Sequence, residues 1–186
     1  MVNTFMHNRM LPNVYHFIDN LKIERILNHK KNICIIYRNY NCKINAEKLL
    51  NFKKFCKKLG LKFLIANEID LAFRLKLDGV YLPSFNKKFN HKQFQSFKNF
   101  IIIGSAHTLK EIRIKEKQNV EQIFLSPIFK TNKSNKILGI YKFNYLSKLT
   151  KKPLIALGGI NKNNNKLLKL INSEGFAGIR YFKKTQ

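Results

Sequence analysis

The sequence predicts an α/β fold, a shortened (β/α)8 TIM barrel. Short apolar runs alternate with amphipathic, lysine-rich segments along the whole chain, as expected for βα units around a parallel sheet. Eight such runs occur, which favours a closed barrel over an open doubly wound sheet. Barrels of this kind commonly need roughly 200 to 250 residues. The 186 residues present are therefore expected to form one shortened domain spanning residues 1–186.

The predicted strands are the short apolar runs at residues 13–18, 32–38, 62–66, 79–82, 100–105, 122–125, 153–157 and 177–181. Most are rich in branched or aromatic side chains, which favour strands. The sequence ends only a few residues after the eighth run. We therefore expect the usual final helix of the barrel to be missing.

Helical periodicity lies between these runs. In residues 46–59 the apolar side chains can share one face, and Gly60 follows as a stop signal. Residues 108–117 and 163–174 show a similar pattern, with Thr108 and the asparagines at 163–165 as N-terminal caps. A helix of barely two turns is expected at residues 70–75.

The chain is strongly basic, with 36 Lys and Arg against 10 Asp and Glu and a net charge of +26. Such a charge raises nucleic acid or an acidic membrane as partners. The lysines, however, occur as pairs along the whole chain with no terminal basic arm, and Lys, Asn, Ile and Phe are over-used throughout, as in an AT-rich genome. We therefore expect no specific nucleic-acid partner and no membrane partner, and the charge would steer small phosphorylated substrates inward. The sequence leaves open whether the chain forms a homodimer.

The three cysteines form no Cys-x-x-Cys motif, so free thiols in a reducing compartment are expected. Neither a signal peptide nor a run of 18 apolar residues is present. Both observations favour a cytoplasmic protein.

In such a barrel the active site lies at the carboxyl ends of the strands. Arg38 ends the second run, where a charge beside an apolar strand needs a partner or a ligand. Gly158 and Gly159 follow the seventh run, and barrels often bind phosphate through the loops after strands 7 and 8. Glycine there exposes amide N–H groups, although a glycine pair at a strand end is also an ordinary turn.

Five segments occur in an order that matches a known family: ANEIDLAFRLKLDGVYLP at 66–83, IGSAHTLKE at 103–111, LSPIFKT at 125–131, PLIALGGIN at 153–161 and GFAGI at 175–179. In these segments the chain resembles the thiamine-phosphate synthases and their relatives, the thiazole tautomerases. The resemblance implies a reaction that joins an aminopyrimidine methyl diphosphate to a thiazole phosphate, releasing pyrophosphate and forming thiamine phosphate.

The resemblance also implies site residues. Catalytic roles fall to Arg38, Ser105 and Lys133, and binding of substrate or phosphate falls to Thr131, Gly158, Gly159 and Arg180. The glutamine and lysine that flank the family arginine are replaced by Ile36 and Tyr40. The histidine that the tautomerases use after strand 6 is replaced by Pro127.

The metal site departs from the family pattern. Asn67 and Asn86 stand where the family has Mg2+-binding aspartates after strands 3 and 4. Mg2+ prefers anionic oxygen ligands, so it would be held weakly, with the neighbouring Glu68 as an alternative ligand. We predict no metal-binding residue and no firm cofactor.

Two functions remain open at this point. The first is a divergent thiamine-phosphate synthase. The second is a barrel that binds phosphorylated ligands without catalysis, as a carrier or sensor of thiamine intermediates, while a thiazole tautomerase is less favoured. Whether the chain is an enzyme is not decided by its sequence.

Overall fold

The computed structural model describes residues 11–27, 29, 32–41, 43–97, 99–132 and 136–182. Eight parallel strands form a closed barrel in which each strand pairs with the next and the eighth pairs with the first. The strands are β1 Val14–Ile18, β2 Ile33–Tyr37, β3 Lys62–Ala66, β4 Gly79–Leu82, β5 Ile101–Ala106, β6 Ile123–Leu125, β7 Leu154–Leu157 and β8 Gly175–Gly178. The predicted fold class is confirmed.

Four α-helices lie in the connections: α1 Ala46–Lys58, α2 Ile69–Arg74, α3 Leu109–Lys117 and α4 Gly139–Lys148. The first three confirm the predicted helices at residues 46–59, 70–75 and 108–117. Thr108 caps α3, because its side chain accepts a hydrogen bond from the Glu111 amide at 3.3 Å. The Glu111 carboxylate in turn accepts from the amide of His107, the residue before the cap, at 2.6 Å, which ties the start of α3 to the end of β5.

The helix predicted at residues 163–174 is wrong, since only a 3₁₀ helix forms there, at Asn165–Leu170. The asparagines in this segment form hydrogen bonds within turns and do not cap an α-helix. The Asn161 side chain accepts from the amides of Asn163 and Asn164, and the Asn164 side chain donates to the Gly159 carbonyl. These bonds hold the chain in turns and tie it to the end of β7.

The last strand was predicted two residues too late. β8 begins at Gly175 and ends at Gly178, and Arg180–Phe182 form a 3₁₀ turn. A Cβ atom at Gly175 would lie 1.8 Å from the Asn13 carbonyl oxygen, so the close approach of the chain before β1 requires glycine there. Among the described residues, that 3₁₀ turn is the one element after β8.

Aromatic side chains fill the barrel interior. The ring of Tyr81 lies 5.1 Å from that of Phe17 and 5.6 Å from that of Phe124, measured between centroids. All three side chains are nearly inaccessible to solvent. The interior is thus a packed core rather than a pore, and a ligand must bind at the mouth.

Two of the three cysteines, Cys34 and Cys56, are free and buried, whereas Cys42 lies outside the described residues. No helix in the described part of the chain is long and apolar enough to cross a membrane.

Candidate functional site at the mouth of the barrel

The predicted site residues follow the carboxyl ends of several strands, and these ends meet at one mouth because all eight strands run parallel. Those in the described part of the chain fall into three sets around the rim. One set lies over β2, β4 and β5, a second over β6, β7 and β8, and the third between β3 and β4. Lys133, a predicted catalytic residue, lies outside the described residues.

The first set joins Arg38 and Ser105 through a residue that sequence reasoning missed. The Arg38 guanidinium stacks 4.6 Å above the centroid of the Phe17 ring. The buried Tyr81 side chain lies near both Ser105 and Arg38, whose polar groups lower its pKa. Two of the three predicted catalytic residues are therefore neighbours of Tyr81.

Burial in the barrel raises the pKa of Tyr81, and the hydrogen bonds from Ser105 and Arg38 lower it by less. The phenol therefore stays protonated near neutral pH and can orient both neighbours. Sequence periodicity could have identified Tyr81, because Val80 and Leu82 of β4 face outward and the residue between them must face the interior.

The second set brings the loop after β6 next to the residues that follow β8. The Arg180 guanidinium donates to the Asn132 side-chain oxygen at 3.2 Å. Asn132 is the immediate neighbour of Thr131, so two predicted binding residues belong to adjoining loops. Arg180 is exposed at this rim.

The glycine pair after β7 has a structural role in the same set. Gly158 and Gly159 have φ angles of 95° and 75°, which favour glycine. Added Cβ atoms would lie 2.7 Å from the Pro127 Cβ and 2.6 Å from the Phe129 carbonyl, respectively. The missing side chains thus make room for the backbone of the loop after β6.

Among the described residues, the two glycines use their carbonyl groups in hydrogen bonds and leave their N–H groups available. The Gly158 carbonyl accepts from the Phe129 amide, and the Gly159 carbonyl accepts from the Asn164 side chain. No loop or turn hydrogen bond within the described residues uses the N–H of Gly158 or Gly159. Contact of these N–H groups with a phosphate stays a prediction.

The third set surrounds a cavity of about 310 Å³ between the loops after β2, β3 and β4. Tyr40 and Phe85, with ring centroids 5.6 Å apart, form an aromatic wall, and Asn67 and Glu68 contribute the polar lining. The Asn86 side chain donates to the Asn67 side-chain oxygen at 2.8 Å. Asn67 and Asn86, which stand where the family has metal-binding aspartates, are therefore in direct contact.

These residues do not fit the Mg2+ ion that the family resemblance implies. The Asn67 oxygen already accepts the bond from Asn86, and Glu68 is the one carboxylate in the cavity lining. Within the described residues, no three His, Cys, Asp or Glu side chains cluster as a metal site would require. Since Mg2+ prefers several hard anionic oxygens, a single exposed carboxylate is a poor site.

Lys115 is a buried cation behind this corner, and sequence reasoning did not predict its role either. The Lys115 ammonium group donates to the Pro83 carbonyl, the Asn86 carbonyl and the Gln118 side-chain oxygen, each at 2.8 Å. Gly104 makes this possible, because a Cβ atom there would lie 2.8 Å from the Lys115 stem.

Burial lowers the pKa of Lys115 to about 8, and the nearby Glu111 charge raises it by less. Lys115 lies three residues after Ile112, on the buried face of α3. A lysine at an apolar position of the helical period is the sequence signal that could have revealed it.

The fold and the positions of these groups define a (β/α)8 barrel protein of the kind whose loops after the strands bind phosphorylated ligands. Comparison with known proteins narrows the class. The sequence profile named thiamine monophosphate synthase matches residues 20–182. The chain belongs to the thiamine monophosphate synthase family.

Individual relatives agree with this. A thiamine-phosphate synthase of Helicobacter pylori is 30% identical over 135 residues, covering 70% of this chain and 60% of that protein. One from Prochlorococcus marinus is 32% identical over 152 residues, covering 75% of this chain and 42% of that protein. The chain thus matches less than two thirds of the length of these relatives.

The fold has a counterpart in the thiamine phosphate pyrophosphorylase from Pyrococcus furiosus. The two structures superpose with a TM-score of 0.71 and share 22% sequence identity. The match covers 91% of this chain and 85% of that one. This match shows a shared barrel. Together with the family profile and the named relatives, it supports a role in thiamine biosynthesis.

Proposed function

We propose that the chain is a thiamine-phosphate synthase that joins an aminopyrimidine methyl diphosphate to a thiazole phosphate. The observation that carries the proposal is the arrangement of the mouth. Arg38 and Ser105 lie near Tyr81 on one side, and the Gly158 and Gly159 amides, which no loop or turn hydrogen bond uses among the described residues, follow β7 on another. Two separate anion-binding groups on one rim suit a reaction of two phosphorylated substrates.

Each substrate has groups suited to it. The diphosphate would bind at Arg38, whose guanidinium can form two parallel hydrogen bonds with phosphate oxygens. The thiazole phosphate would bind at the Gly158 and Gly159 amides beside Arg180. The aromatic wall of Tyr40 and Phe85 offers a flat surface for a heteroaromatic ring.

In the proposed reaction the bond between the pyrimidine methylene carbon and the diphosphate oxygen breaks, and its electron pair leaves with pyrophosphate. The lone pair of the thiazole nitrogen forms the new carbon–nitrogen bond. No oxidant or reductant is needed. Negative charge develops on the leaving pyrophosphate, so fixed donors such as Arg38 and Ser105 lower the barrier.

The second candidate is a barrel that binds these ligands without turnover, as a carrier or sensor. The presence of Asn67 and Asn86 instead of carboxylates is the observation that favours it. A thiazole tautomerase has less support, because Pro127 occupies the position of the histidine expected from the resemblance.

The test is to incubate purified protein with both substrates, with and without Mg2+, and to measure thiamine phosphate by chromatography. We expect product, and Arg38→Ala should lower its rate by about a hundredfold or more. Arg113→Ala is the matched control, because Arg113 pairs with Glu116 on the outer helix α3.

A folded sample that forms no product would contradict the synthase proposal. Calorimetric titration with thiazole phosphate and thiamine phosphate then tests the second candidate. Binding without turnover would support a carrier or sensor, and the absence of heat would exclude it.

A further inference from the structure

The orientation of the Asn86 amide is fixed by a backbone group. The Lys88 amide lies 3.0 Å from the Asn86 side-chain oxygen and, as an N–H group, can only donate. The oxygen of Asn86 therefore faces Lys88. Its nitrogen must face Asn67, to which it donates at 2.8 Å.

This orientation determines which atoms of Asn67 are free. The Asn67 oxygen accepts the bond from Asn86, so its NH2 group is left over. Among the described residues, no hydrogen bond uses that NH2 group, and Asn67 lines the cavity. The Asn67 backbone is held as well, by a hydrogen bond from its amide to the Tyr81 carbonyl at 2.8 Å and a φ of 66°.

The corner between β3 and β4 thus offers the cavity N–H donors where a metal site would offer oxygen lone pairs. Two cations lie in the neighbourhood of this corner. Lys115 donates to the Asn86 carbonyl at 2.8 Å, and the Arg38 guanidinium, which follows the cavity-lining Tyr37 in the chain, lies over the Phe17 ring at the same mouth.

Carboxylates oppose these cations at two points. Glu68 lines the cavity and is exposed. Glu111 lies near Lys115 and already accepts the His107 amide in the cap of α3. Neither carboxylate hydrogen-bonds Asn67 or Asn86 in the described structure.

We propose that this corner binds a diphosphate-type anion directly, without a divalent cation, through the Asn67 NH2 group and the charges of Arg38 and Lys115. The choice of diphosphate rests on the proposed function. A cation would face the Asn67 NH2 group there, and because the Asn67 oxygen already accepts from Asn86, Glu68 is the one anionic ligand in the lining.

The test is calorimetric titration of the full chain with inorganic pyrophosphate in EDTA. Wild type should bind. Asn67→Gly keeps the left-handed backbone and removes the donors, so its affinity should fall by about tenfold or more. Asn67→Asp should weaken binding further, whereas Asn51→Asp, the same charge change on the outer helix α1, should have little effect.

Glu68→Gln separates direct binding from binding through a metal. Without a metal, removing this carboxylate relieves repulsion and should tighten pyrophosphate binding in EDTA. In a parallel titration with Mg2+ in place of EDTA, a metal held by Glu68 would make Glu68→Gln bind pyrophosphate more weakly. The inference is overturned if pyrophosphate binds only when Mg2+ is added, if Asn67→Gly binds as well as wild type, or if Glu68→Gln weakens binding.

Thermal melting of each variant shows that it is folded before its affinity is compared. The two proposals can fail separately, because pyrophosphate binding needs no turnover. Binding in EDTA with no thiamine phosphate formed would refute the synthase and keep this inference. Product formation combined with pyrophosphate binding that requires Mg2+ would keep the synthase and refute direct binding.

Discussion

Lys115 provides a prediction whose size can be worked from the structure. Its ammonium group has no exposed surface and donates to three neutral oxygens, those of Pro83, Asn86 and Gln118. Lys115→Met keeps much of the stem that packs at Gly104 and removes the charge. Lys117→Met, on the exposed face of the same helix, is the matched control.

The magnitude follows from the pKa of Lys115, which burial lowers from 10.5 to about 8. A pKa difference of this size corresponds to ~3 kcal/mol. Because the folded-state pKa is the lower one, the folded chain disfavours the proton. The cost is full below pH 8 and disappears as the pH rises through 10.5.

Between pH 7 and pH 9, wild type should therefore gain about 1.4 kcal/mol of stability relative to Lys115→Met. The measurement is urea unfolding followed by circular dichroism at both pH values. Changes in the net charge of the whole chain act on both proteins and cancel in the difference. Lys117→Met should show no such pH-dependent difference from wild type.

A stability difference between wild type and Lys115→Met that stays constant from pH 7 to pH 9 would refute this reasoning. It would mean that the ammonium group is solvated, or that a carboxylate compensates its charge.

Three further predictions concern other parts of the fold. Gly159→Ala should destabilise the protein by about 2 kcal/mol more than Gly139→Ala in urea unfolding, because both have positive φ but only Gly159 is packed against backbone; equal losses would contradict the close approach. His29→Gln should reduce the loss of stability between pH 7 and pH 5. Burial beside His16 lowers the pKa of His29, so the folded state disfavours the protonated ring. The free energy of unfolding therefore falls as the pH drops through 6.5. The same pH profile in wild type and His29→Gln would contradict this prediction. Tyr81→Phe should lower thiamine phosphate formation by about tenfold in a steady-state assay with little change in melting temperature; full activity would show that Arg38 and Ser105 need no support from its hydroxyl.

Much of the fold could be predicted because strand and helix periodicity are local. The apolar run at Pro153–Leu157 indicated a buried strand, and β7 forms at Leu154–Leu157. The pattern before Gly60 indicated a helix, and α1 ends at Lys58. The predictions failed where local pattern and tertiary contact disagree, as at residues 163–165, where the Asn164 side chain bonds to the Gly159 carbonyl just after β7 instead of capping an α-helix.

The candidate site shows the same division. Arg38, Ser105 and the glycine pair could be selected because they follow strands that must end at one mouth. Tyr81 and Lys115 could not be assigned all their partners, since Arg38 and Ser105 near Tyr81, and Pro83 and Asn86 bonded to Lys115, lie on other βα units. For the glycine pair, sequence alone could not distinguish a ligand from a second loop, and the structure shows the loop after β6 against both residues.

By itself, the sequence determined the eight-stranded barrel, because the strand and helix patterns depend on residue type and on spacing along the chain. It also predicted the end of the barrel that would carry the chemistry, and the family resemblance predicted that Asn67 and Asn86 stand at the metal-site positions. Only the tertiary structure decided that Asn67 turns its N–H groups toward the cavity, with Lys115 behind. The orientation of an amide depends on the donors and acceptors around it, and here they come from Lys88 and Asn86, about twenty residues further along the chain.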